Sequence, residues 1–224
     1  MRGRQMSEAY LTGAVLAAVG GYLDAYTYLC RGHVFANAQT GNIVLLGVKA
    51  AAGEWGAALY YAVPILAFIA GIFVAELVKR QFKQHPMLHW RQIVVLLEAA
   101  VLAGVAFIPV GDLDMLANVL ISFVCSLQVE SFRTVSGIPY ATTMCTGNLR
   151  SATEHLYRFI QMKERHFLKT SLKYYGIILF FILGACAGAL LTSLWSYKAV
   201  AEAAAALLAV FLLMFIKDNS GSAV

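Results

Sequence analysis

Apolar residues run along this chain in long unbroken blocks. They do not alternate as in a half-buried strand, nor do they recur every third or fourth residue as in a surface helix. Six blocks approach or reach the ~20 predominantly apolar residues that a helix needs to cross a bilayer. They are Leu11–Leu29, Trp55–Val78, Ile93–Val110, Leu113–Phe132, Tyr174–Trp195 and Ala199–Ile216. Two further stretches, Thr40–Ala52 and Thr146–Ile160, are helical in character but differ from these. The first is too short to span, and the second becomes strongly charged after its first turn. Gly32 and the run Gly137-Ile138-Pro139 should break the helices ahead of them, so each short helix should follow an extended segment. The expected fold is one all-α integral membrane domain over residues 1–224, with about six spanning helices and two half-helices.

Composition points the same way. Of 224 residues, 60% are hydrophobic and 13% are charged, and mean hydropathy is +0.71. A soluble domain is about half apolar and about a quarter charged, so the bilayer is the expected solvent. The net charge of +5 does not argue for nucleic acid, because the basic residues are scattered over short loops. Lys79, Arg80, Lys83 and Arg91 crowd one loop, and Arg150, Arg158, Lys163, Arg165, Lys169 and Lys173 another. Arg2, Arg4 and Lys217 lie near the termini, while Glu54, Asp112 and Asp114 occupy the remaining loops. The positive-inside rule places both termini and both basic loops in the cytoplasm. That topology closes only if each half-helix returns to the side it entered from. The basic start followed by an apolar run is expected as an uncleaved first span, because Asp24 interrupts it and no cleavage site follows.

The polar positions inside the apolar blocks repeat. F35-A-N-A-Q-T-G-N-I-V44 returns as Y140-A-T-T-M-C-T-G-N-L-R150. Laying Thr40-Gly41-Asn42 on Thr146-Gly147-Asn148 also lays Asp24 on Glu130 and Tyr26 on Phe132. Further on, F68-I-A-G71 resembles F181-I-L-G184. The chain is expected to hold two inverted-topology repeats, about 9–110 and about 113–217, an arrangement that recurs in secondary transporters.

The motifs G21-Y-L-D-A-Y-T-Y-L, V34-F-A-N-A-Q-T-G-N and S136-G-I-P-Y-A-T-T-M-C-T-G-N-L-R resemble the YoaK family of bacterial multi-pass membrane proteins, a domain of unknown function. The resemblance covers nearly the whole chain and implies a bacterial inner-membrane protein. It implies no substrate. The pairing of an extended stretch with a half-helix is also similar in architecture to uracil permease and sulfate permease-type transporters, which are about twice as long.

In lipid, non-helical backbone survives only where protein buries it or where it lines an aqueous cavity. Thr40 and Thr146 are expected as N-caps, Gly41 and Gly147 as points of close approach, and Asn42 and Asn148 as amide donors and acceptors. Two helix N-termini facing one cavity would suit an anion or a polar solute. The expected binding set is Phe35, Asn37, Gln39, Thr40, Gly41, Asn42, Tyr140, Thr143, Thr146, Gly147 and Asn148. The simpler reading makes Thr-Gly-Asn a capping and packing device. Acids at membrane depth usually face a cavity or a partner. Asp24 is the expected proton carrier, and Glu130 with Arg133 a structural or gating pair. Glu98, alone in its block, has no evident role.

No nucleophile–base motif, phosphate loop or cofactor signature is present, and an enzyme is not expected. The four cysteines lack metal or disulfide spacing, and His33, His85, His89, His155 and His166 lack ligand spacing, so no metal site is expected. G184-A-C-A-G188 could mark packing within the bundle or a homodimer face. The expected partners are therefore membrane lipid, a small solute or ion, and a second copy of the chain. An anion channel and a non-transporting scaffold are the alternatives to a transporter.

Overall fold

The computed structural model describes residues 9–83 and 89–215. Eight helices follow in order: α1 (Tyr10–Cys30), α2 (Gln39–Ala51), α3 (Trp55–Phe82), α4 (Trp90–Val105), α5 (Asp114–Ser131), α6 (Cys145–Met162), α7 (Arg165–Trp195) and α8 (Val200–Leu213). A 3₁₀ turn, Ser196–Ala199, joins the last two. The extended segment before α6 folds back on itself as a small antiparallel hairpin, pairing Thr134 with Pro139 and Val135 with Ile138. His85 and Lys217 lie outside the described residues.

The helices differ sharply in what they bury. Thirteen residues of α1 are buried, Asp24 and Thr27 among them. α5 likewise buries Asn118, Ser122, Ser126, Gln128 and Glu130. These two polar-containing helices sit inside the bundle. By contrast, α3 buries only Ala58, Pro64, Gly71 and Ala75 along 28 residues, and leaves Leu59, Leu66, Phe73 and Leu77 exposed. α7 is similar, with Leu179, Ile182, Leu190 and Leu194 exposed.

The expectation of six spans is supported in part. Among the described residues, two helical stretches are long and apolar enough to cross a membrane, Trp55–Phe82 and the continuous run Arg165–Leu213. Only 17% and 22% of their most apolar windows are buried, so neither is the core helix of a water-soluble domain. α4 and α8 have 16 and 14 residues, short of the ~20 that a bilayer requires. α1 and α5 carry the polar residues that the bundle interior needs.

Packing pairs the helices in a crossed pattern. α1 lies along α7, and α3 along α5. α2 rests on α3 and α6 on α7, while α4 packs on α8, α4 on α5 and α8 on α1. The α1–α7 contact is close because Gly21 meets the Phe181 carbonyl and Gly184 meets the Ala18 carbonyl, where a Cβ would collide. Gly188 against Tyr22 extends it. Gly71 does the same for α3 against Phe123 and Ser126 of α5. The G184-A-C-A-G188 motif is thus used within the chain. The main apolar cluster lies where α1, α4, α5 and α8 meet, around Leu16, Leu23, Leu102, Ile121 and Leu207.

Candidate functional site

After α1 the chain turns through Gly32 and His33, with φ of 77° and 59°. After α5 it turns through Ser136 and Gly137, with φ of 48° and 78°. Gly32 and Gly137, matched in sequence, hold the same left-handed conformation, which a side chain rarely tolerates. Each turn throws the following segment back into the bundle, where α2 and α6 begin.

The two Thr-Gly-Asn motifs then make the same device. Asn42 Nδ2 donates to the Phe35 carbonyl at 2.8 Å, and its Oδ1 accepts from the Phe35 N–H at 3.3 Å. Asn148 Nδ2 donates to the Ala141 carbonyl at 2.6 Å, and its Oδ1 accepts from the Ala141 N–H at 3.2 Å. In each half the amide clamps both backbone groups of the residue seven positions earlier. This satisfies extended backbone that has no ladder partner. Both amides, expected in the binding set, thus engage backbone, and neither lines the cavity described below. Thr40 and Thr146 are not N-caps either. The cap positions are Ala38 and Met144, without side-chain capping bonds, which leaves each threonine at the second residue of its helix.

One cavity of about 660 Å³ joins the two halves. Asp24, Asn37, Gln39 and Thr40 line it from the first half, and Thr143, Cys145, Thr146 and Gly147 from the second. Phe68 and Phe181, the matched aromatics of α3 and α7, also line it, together with Tyr28 and Phe35. The last two rings stack, with centroids 5.0 Å apart. Gly41, Asn42, Tyr140 and Asn148 lie outside this lining. Tyr140 packs instead with Ala14, Ala17 and Ile177. Gly147 has open space where a Cβ would stand, whereas Gly41 lies against the Phe35 ring.

The acids part company. Asp24 is 7% exposed, and its Oδ1 accepts the Asn37 N–H at 2.8 Å. The Ala38 N–H faces the same carboxylate. Asp24 thus occupies the positive end of α2 with the protein's own negative charge. Asn37 Nδ2 donates to the Gly20 carbonyl at 3.0 Å and fastens this corner to α1. Glu130 does not repeat the arrangement. It pairs with Arg133 at 2.8 Å, outside the cavity, and the Arg133 side chain is 70% exposed. The start of α6 therefore meets the cavity without a carboxylate of its own.

A family model described as "Protein of unknown function (DUF1275)" matches residues 12–213. The chain belongs to this family. It is 27% identical to the UPF0700 transmembrane protein YoaK of Bacillus subtilis (strain 168), over 81% of each chain. No solved structure matches it.

In this DUF1275 protein the cavity wall joins one carboxylate, several hydroxyl and amide groups, and four aromatic rings. Among the described residues no Lys, Arg or His lines it. Such a wall can hold a small solute by its polar end and cover an apolar portion with ring faces. It offers a cation more than it offers an anion, since rings and a carboxylate both attract positive charge. Sequence reasoning missed Phe68, Cys145 and Phe181. The repeated F-I-x-G was the available signal for the two phenylalanines.

It also missed Arg31. This side chain is fully buried and pairs with Asp114 at 2.8 Å. It donates as well to the carbonyls of Pro109 and Ile108 and to the Tyr26 hydroxyl. Arg31 ties the end of α1 to the α4–α5 loop, and among the described residues Asp24 has no cationic partner.

Proposed function

We propose that this DUF1275 protein is a small secondary transporter of the bacterial inner membrane, with both termini in the cytoplasm. Its two halves act as inverted repeats around the shared cavity. The crossed packing supports the repeat: exchanging α1 with α5, α2 with α6, α3 with α7 and α4 with α8 leaves the principal helix contacts unchanged, although the lesser α3–α4 contact has no α7–α8 counterpart. The observation that carries the transport reading is the shared cavity lined by Thr40 of α2, by Thr146 and Gly147 of α6, and by Asp24. Irregular backbone at membrane depth, walled by polar side chains, is how transporters of this architecture hold a solute.

The substrate class follows from the wall. An anion fitted the expectation of two free helix N-termini, but Asp24 fills one of them and no basic residue faces the cavity. A neutral or cationic polar solute with a small apolar body suits the site better. Asp24 binds its polar end and carries the coupled proton. The Glu130–Arg133 pair, at the end of α5, governs closure.

Purified protein should first be screened for thermal stabilisation by small amines, amides and carboxylates, then reconstituted in liposomes loaded with a pH-sensitive dye. We expect amines or amides to stabilise it and to drive proton movement that Asp24→Asn abolishes. Stabilisation with electrical conductance and no proton movement would indicate a channel. Absence of any stabilising solute and of any flux would leave a scaffold.

A further inference from the structure

Both half-helices expose the same six matched positions and fill them differently. On α2 these are Thr40, Ile43, Val44, Gly47, Val48 and Ala51; on α6 they are Thr146, Leu149, Arg150, Thr153, Glu154 and Tyr157. Each set follows the three- and four-residue spacing of one helix face. The α2 face is apolar beyond Thr40 and suits acyl chains as it stands. The α6 face is mostly polar. It forms a groove of about 620 Å³ that, among the described residues, α6 alone lines. Thr146 belongs both to this groove and to the central cavity.

Several polar groups of the groove are already engaged. Glu154 accepts from Arg158 at 2.6 Å. The Thr153 hydroxyl donates to the Leu149 carbonyl at 2.9 Å and meets the Tyr175 hydroxyl at 3.2 Å. The Tyr157 hydroxyl accepts from Gln161 at 3.1 Å, which leaves its own proton to give. Arg150 has no ion pair or hydrogen bond to any described side chain. The uncommitted groups are therefore one guanidinium and the hydroxyls of Tyr157 and Thr146, and the free charge is positive. A guanidinium fork matches the oxygens of a phosphate. Depth agrees with this. α6 begins at Cys145, on the central cavity, and solute cavities of this architecture lie near the bilayer midplane. Five residues at ~1.5 Å each carry Arg150 about 8 Å toward the basic loop, where half the hydrocarbon core is about 15 Å thick. The arginine stem covers much of the remainder and brings its head to the headgroups. Met144 and Leu149, both exposed, stay at acyl depth.

We propose that the α6 groove binds the headgroup of an anionic phospholipid from the cytoplasmic leaflet. Its phosphate sits on Arg150, Tyr157 and Thr146 supply further donors, and its chains run along Leu149 and Met144. A second copy of the chain fits this face less well. Copies in one membrane share an orientation, so a two-fold axis along its normal sets Arg150 at the height of its own copy, like charge against like. Because Thr146 is shared, the bound lipid borders the central cavity. The proposal rests on the cytoplasmic placement of the basic loop given above, but not on transport.

Full-length protein in detergent should be titrated with phosphatidylglycerol and with phosphatidylcholine, and the lipids it retains counted by native mass spectrometry. We expect phosphatidylglycerol to be held in preference, and Arg150→Gln to weaken it about tenfold or more, as loss of a charge-assisted contact does. Arg165→Gln, which removes a loop charge outside the groove, should leave the affinity nearly unchanged. Equal losses in the two variants would reduce the effect to the general attraction of a basic loop and overturn the proposal. So would equal retention of both lipids, or inorganic phosphate that competes as well as the whole lipid and marks a free-anion site. Dimers that Arg150→Gln dissociates, without any retained lipid, would give the face to a second copy instead. Should Arg150→Gln not fold, a photoreactive phosphatidylglycerol applied to wild-type membranes decides the matter. Labelling within 144–157 supports the proposal, and labelling confined to other segments overturns it. A protein that retains the lipid yet moves no solute would retire the transport reading and leave this one standing.

Discussion

The two turns are built alike and charged differently. In the first, an amide from α2 clamps Phe35 while Asp24 caps the helix end from α1. In the second, an amide from α6 clamps Ala141, but the matched acid, Glu130, turns to Arg133 and leaves its helix start open to the cavity. What the halves share is the means of holding irregular backbone inside a bundle. What they do not share is the charge placed at the site. The cavity is thereby asymmetric, with a carboxylate on one wall and the open start of α6 on the other.

The two arginines sharpen the contrast. Arg31 is fully buried and anchors the first half to Asp114, whereas Arg133 is largely exposed beside Glu130. Removing one partner of a buried pair leaves an uncompensated charge, at a cost of roughly 3–5 kcal/mol. Arg31→Met should therefore lower unfolding stability toward that order, measured by denaturation in detergent, because the half-buried Asp114 and the carbonyls of Ile108 and Pro109 all lose their donor. An Arg31→Met protein of nearly native stability would mean that the α1 end is not held by this pair. The asparagine clamps come next. Asn42→Ala and Asn148→Ala each strand a backbone donor and acceptor, at about 1–3 kcal/mol. Equal losses would mark the clamps as equivalent devices, while a loss confined to one would show that the other segment is held by different contacts. Arg133→Ala should be the mildest, about 1 kcal/mol or less, because exposed ion pairs contribute little. Under the proposed function its larger effect should fall on flux, measured in the same liposomes.

Much of the scaffold was legible. The expected half-helices Thr40–Ala52 and Thr146–Ile160 begin one residue after α2 and α6 do, because a break at Gly32 or Gly137 and a following Thr-Gly-Asn are local signals. Phe35, Asn37, Gln39, Thr40, Thr143, Thr146, Gly147 and Asp24 all reach one cavity. Less legible was what each polar group does there. Whether an asparagine faces a ligand or a backbone seven residues behind it depends on how the chain folds back, which local spacing does not state. Arg31 finds Asp114 from 83 residues away, so no windowed reading would pair them. The count of spans is less legible for a related reason. A block of apolar residues reads the same whether its helix stays largely exposed, as in α3, or packs into the interior, as in α4.

The central claim is that the starts of α2 and α6 wall one cavity beside Asp24, and its most direct test is cross-linking across that cavity. Cys145 already stands at the start of α6. In protein with Cys30, Cys125 and Cys186 replaced by alanine, Thr40→Cys would supply the second thiol. A short bifunctional thiol reagent, applied to protein in native membranes, should join position 40 to Cys145. The product would be a cross-linked chain of monomer mass that proteolysis between the two halves fails to separate. Reaction of each thiol singly, with no joined product at any reagent length that fits the cavity, would place the two turns apart and contradict the account.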